Sequence, residues 1–66
     1  MRLASLTALQ LALAEQARRH PVIVRGPSLN IARRLEAKLY GTVEAGASGE
    51  VIFRLSQAGA DAVVNS

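Results

Sequence analysis

The sequence predicts a small α/β protein of the α+β kind: two main helices on a three-stranded antiparallel sheet, closed by a short C-terminal helical turn. Three observations predict it. Apolar residues recur at helical spacing from Leu6 to Ala17 and again from Ile31 to Leu39. Val22-Ile23-Val24 is a β-branched run too short for a helix. Thr42 to Ala45 and Glu50 to Leu55 read as two strands, joined by the loose hairpin tip Gly46-Ala47-Ser48-Gly49.

The first helix opens at Leu6-Thr7-Ala8-Leu9-Gln10-Leu11. Thr7 and Gln10 stand at capping-box spacing, so the hydroxyl can accept from the Gln10 N–H while the Gln10 side chain reaches back to the Thr7 N–H. Leu6 and Leu11 occupy the staple positions around that cap, which gives Leu11 a role away from the apolar stripe. The stripe itself is expected to be Leu6, Leu9, Leu13 and Ala17, on a helix over Ala8–Arg19. Arg18, Arg19 and His20 suit the negative pole of the helix, and Pro21 stops it.

After the Val22–Val24 strand, Gly26-Pro27 breaks the chain, and a second helix is expected from Pro27 or Ser28 with Ser28 as a cap. Its buried face is expected to be Ile31, Ala32, Leu35 and Leu39. Asn30, Arg33, Arg34 and Ala37 then lie on the opposite face, with Lys38 at its margin. Gly41 is the expected residue just past the helix end. Beyond the hairpin, Ser56 caps a last turn reaching about Ala62, and Val63 to Ser66 is expected as a frayed or lightly packed tail of the single 1–66 domain.

Composition narrows the function. Sixty-six residues without cysteine must hold together on an aliphatic core, with Tyr40 and Phe53 as the only aromatic anchors. A homodimer that hides more apolar surface is a natural way to stabilise such a chain. The net charge of +3 is uneven: residues 1–35 carry six Arg against Glu15, whereas 36–66 carry Lys38 and Arg54 against four acids. A basic half suits a polyanion. Met1-Arg2 and Leu3 to Ala14 only faintly resemble a secretory leader, because Ser5, Thr7 and Gln10 interrupt the apolar run. No stretch approaches the ~20 apolar residues of a membrane span, and a cytoplasmic location is expected.

Nothing in the sequence points to catalysis. His20 has no second histidine or cysteine for a metal, the acids are scattered singly, and Gly46 to Gly49 lacks the lysine and following helix of a phosphate loop. The expectation is a non-enzyme without cofactor.

Three segments in order resemble the winged helix-turn-helix domains, in the style of small MarR-like and phage regulators. Leu6-Thr7-Ala8-Leu9-Gln10 is similar to their Leu-Thr-x-x-Gln opening. Ile31 to Gly41 is similar to a recognition helix ending before the wing, and Val51 to Gly59 to the wing's second strand running into the Arg-Leu-Thr-x-x-Gly close, with Ser56 in the Thr position. The resemblance implies a winged-helix fold and double-stranded DNA as partner. Two departures stand out. Only Arg25-Gly26-Pro27-Ser28 fills the place of the family's scaffold helix, and Glu44 and Glu50 flank a hairpin tip with no Lys or Arg.

The candidate contacts follow from side-chain chemistry. Arg33 and Arg34 can each donate two bonds to guanine, Asn30 can pair with adenine, and Lys38 is a point charge for phosphate. Arg18, Arg19 and Arg25 are candidate backbone clamps, and Ser28 could donate to a phosphate at the helix start. The expected function is sequence-specific DNA binding as a small transcriptional regulator, as a homodimer on paired half-sites. The alternative is a protein-interaction module, such as a phage-type modulator of a host protein, that keeps a winged-helix core without DNA. A single-strand binder would need more aromatic platforms than Tyr40 and Phe53 provide.

Overall fold

The computed structural model describes residues 6–65. The elements in chain order are α1 (Ala8–Arg19), β1 (Val22–Val24), α2 (Pro27–Ala37), β2 (Gly41–Ala45), β3 (Val51–Leu55) and α3 (Gln57–Val64). The strands form one antiparallel sheet in the order β1-β3-β2. The α+β class and the three-stranded sheet are therefore as the sequence predicts. Met1 to Ser5 of the leader-like stretch, and Ser66 of the tail, lie outside the described residues. Among the described residues no helix is long and apolar enough to cross a membrane.

One face of the sheet meets the helices. Val22, Val24, Val43, Val51, Phe53 and Leu55 belong to the core or pack against it, whereas Thr42, Glu44 and Arg54 on the other face are exposed. Phe53, Leu35 and Val24 are the largest fully buried side chains, each worth about 1.5–3 kcal/mol by burial alone. Gly41 lets β2 close over this core. A Cβ there would stand 2.6 Å from the Arg54 carbonyl oxygen and press into the Phe53 ring. Tyr40 is half-buried against the same cluster, so both aromatics anchor the core.

The capping box forms as its spacing predicts. Gln10 N–H donates to Thr7 Oγ1 at 3.1 Å, and Thr7 N–H donates to Gln10 Oε1 at 3.2 Å. Leu6 and Leu11 both pack against the core, in keeping with a staple. The apolar stripe is rotated from its expected place. Leu9 is 66% exposed, and the buried face of α1 is Gln10, Leu13, Ala14 and Ala17. The small alanines allow close approach, and Gln10 enters with its oxygen already engaged.

The second helix differs at both ends from expectation. Gly26, not Ser28, is its N-cap, with Pro27 as first helical residue. Ser28 instead accepts from the Arg25 N–H at 2.9 Å and donates back to the Arg25 carbonyl at 2.8 Å, closing the turn before the helix. At the other end the helix stops at Ala37, and Leu39, not Gly41, takes the left-handed conformation with φ 66°. Tyr40 N–H donates to Leu35 O and Leu39 N–H to Glu36 O, both at 2.9 Å, the paired bonds of a Schellman close. That reversal swings Leu39 out to 78% exposure, where continued helix would have buried it.

The hairpin is closed by Gly46 N–H donating to Glu50 O at 2.7 Å, with Gly49 at φ 83°. β2 begins one residue earlier than expected, at Gly41, and β3 one later, at Val51. The expected frayed tail is also corrected. Helix α3 runs to Val64, and Val63 is part of the core. Ser56 caps it as predicted, accepting from the Gly59 N–H at 3.0 Å.

Candidate nucleic-acid interface

Helix α2 turns Ala32 and Leu35 into the core and leaves Asn30, Arg33, Arg34 and Ala37 exposed. At 100° per residue these four fall within one arc of the helix. The helix carries a single acid, Glu36, and the fold takes it off that arc. Its Oε2 accepts from the Val43 N–H at 3.1 Å, on the outer edge of β2. The exposed face therefore presents two guanidinium groups and a carboxamide with no carboxylate among them.

The other acids are engaged elsewhere. Glu15 pairs with Arg18 at 3.4 Å, Glu44 with Arg54, Glu50 accepts from the Ser48 N–H at 3.1 Å, and Asp61 from Gln57 Nε2 at 3.1 Å. Among the described residues, Arg19, Arg25, Arg33 and Arg34 have no carboxylate within ion-pair distance. Arg18 is the exception among the candidate arginines, though an exposed pair one turn apart is worth only about 0–1 kcal/mol and opens readily.

The candidates divide by position. Asn30, Arg33 and Arg34 share the open face of α2. Arg25 sits at the end of β1, three residues before Ser28, and its backbone is held by the Ser28 hydroxyl. That hydroxyl directs its proton to Arg25 O, which leaves Ser28 as a clamp on the turn. Arg18 and Arg19 lie in the last turn of α1 beside His20, whose Nδ1 is 3.0 Å from the Pro21 carbonyl. Lys38 is exposed but leaves the open arc for α1, where its ammonium donates to Gln10 Oε1 at 3.2 Å.

Sequence reasoning missed the part played by Gln10 and Glu36. Gln10 shares the Leu13, Ala14, Ala17 spacing, so a count that admitted polar residues would have put it on the buried face. Glu36 had no local signal, because its partner belongs to a strand seven residues on. Among the described residues no three His, Asp or Glu side chains gather where a metal could sit.

No family model matches the chain, and neither does any curated protein or solved structure.

Proposed function

We propose that the chain binds double-stranded DNA as a small cytoplasmic transcriptional regulator, with the exposed face of α2 in the major groove. The observation that carries this reading is the clearing of that face: Glu36 is drawn to Val43, and Arg33 and Arg34 stand exposed with no carboxylate partner among the described residues. Eleven helical residues span about 16 Å, and a groove about 12 Å wide admits such a helix. Arg33 and Arg34 serve as guanine readers or phosphate contacts, Asn30 as the adenine reader. Arg18, Arg19 and Arg25 flank them on the backbone. The order helix, strand, helix, hairpin, with the sheet arranged β1-β3-β2, supports the winged-helix resemblance behind this proposal.

The hairpin favours the second reading, a protein-interaction module. Its cation, Arg54, is paired with Glu44, and Glu50 stands at the tip, so a wing contact to phosphate has no donor there. Salt separates the two readings. Each neutralised phosphate adds about 0.9 to the slope of log affinity against log salt, so four contacts cost on the order of 100-fold between about 50 and 200 mM. Fluorescence anisotropy of a random duplex at those two salt concentrations is the test. A loss of that size supports the DNA reading, and no binding at the lower salt overturns it.

A further inference from the structure

We infer that the free edge of β1 pairs with β1 of a second copy of this chain, antiparallel and centred on Ile23, joining two sheets into one of six strands. The sheet has two edges, and they are treated differently. On β2 the outward Val43 N–H is covered by Glu36. On β1 nothing among the described residues plays that part.

Hydrogen-bond alternation says which groups β1 leaves open. Gly46 N–H to Glu50 O and Ser56 N–H to Tyr40 O lie in the β2–β3 register, so Ile52 and Arg54 also turn their backbone groups to β2. Val51 and Phe53 then face β1, where their partners are Val24 and Val22. Ile23, between them, points its N–H and C=O away from the sheet. Its neighbours on that edge cannot add a donor: Pro21 has no N–H, and the Arg25 N–H donates to Ser28 Oγ. Among pairings of β1 with a second β1, only the one that sets Ile23 against its counterpart satisfies donor and acceptor together, and that pairing is two-fold symmetric.

The side chains fit the same register. Ile23 is 55% exposed on the outer face, directly across from Ile52. Two copies would align Ile52 and Ile23 of one with Ile23 and Ile52 of the other, an unbroken apolar row. Arg25 falls opposite Pro21 and His20 opposite Gly26, so no like charges meet head-on. Both α2 helices then lie on one side of the joined sheet. Three residues a side bury far less than the roughly 1,200–2,000 Å² of a stable interface, so the dimer is weak and concentration-dependent. It stands on sheet geometry alone and does not require the DNA reading.

Cross-linking tests it, since the chain has no native cysteine. A bonded antiparallel pair sets Cα atoms about 5.5 Å apart, within disulfide reach. Ile23→Cys should form a covalent dimer in a glutathione buffer at least about tenfold faster than Ala58→Cys on exposed α3. Sedimentation equilibrium from micromolar to millimolar wild-type chain should show reversible dimer, lost in Ile23→Glu with its circular dichroism unchanged. A wild type that stays monomeric, or a dimer that survives Ile23→Glu, overturns the pairing. So does an Ile23 amide that responds only to an added extended peptide, which would assign the edge to a different partner.

Discussion

The Lys38 ammonium donates to Gln10 Oε1 at 3.2 Å, and that oxygen also accepts the Thr7 N–H that opens α1. One buried carboxamide therefore fastens the start of α1 to the end of α2, across 28 positions of sequence. Removing it leaves the Thr7 N–H and Lys38 without this shared acceptor. Gln10→Ala should cost about 1–3 kcal/mol in urea unfolding. Lys38→Met should cost less than about 1 kcal/mol, because the bond lost is made by an exposed ammonium that water also solvates, and Gln10 Oε1 keeps the Thr7 N–H. In DNA titrations Lys38→Met should leave the salt slope unchanged, as befits a residue that positions α2. A drop near 0.9 would make it a phosphate contact instead.

Leu39 has the opposite problem. It holds a left-handed φ of 66° that costs a side-chain-bearing residue about 1–2 kcal/mol, and it offsets none of that by burial. Leu39→Gly should therefore raise stability by about 0.5–1 kcal/mol after the extra entropy of glycine is subtracted. Its carbonyl keeps the bond from Ser56 Oγ at 2.9 Å, so the junction with α3 is unaffected. A higher urea midpoint at constant m-value is the expected reading.

Gly59 tests the junction from the other side. In a helix, glycine to alanine normally gains about 1 kcal/mol. Here the added Cβ would collide with the Tyr40 carbonyl oxygen and stand 2.7 Å from Leu55 Cδ1. That carbonyl cannot easily retreat, since it also accepts the Ser56 N–H at 3.0 Å. Gly59→Ala should reverse the usual sign and destabilise by about 1–3 kcal/mol. A stabilised variant would mean that α3 is free to shift away from Tyr40.

These residues also show where sequence reading succeeds and where it stops. Local chemistry was legible: the Thr7–Gln10 box, the Val22–Val24 strand and the Ser56 cap need only neighbours in sequence. Gly41 misled because two demands compete for glycine there. A helix end attracts one, but the close approach to Phe53 requires it more, and Leu39 was left to make the reversal. Gln10 took the face expected for Leu9 at a spacing it shares with Leu13, Ala14 and Ala17, whereas its bond to Lys38, 28 residues away, had no local signal. Val63 entered the core because α3 packs on α1, which no tail composition announces. The exposed arc of α2 followed from its spacing alone, whereas its freedom from carboxylate depended on Glu36 finding Val43.

The paired substitution Arg33→Ala with Arg34→Ala bears directly on the proposed function. Both side chains are exposed and have no ion pair among the described residues, so the variant should fold with stability within about 0.5 kcal/mol of wild type. On random duplex the slope of log affinity against log salt should fall by about 1–2, the share of two lost cations. Arg54→Ala is the matched control. It removes one positive charge where the double variant removes two, from the outer sheet face beside Glu44, and should leave the slope in place. A slope loss in Arg54→Ala about half that of the double variant would reduce the binding to net charge alone. An unchanged affinity and slope in the double variant would release α2 from any DNA contact and turn the search to a protein partner.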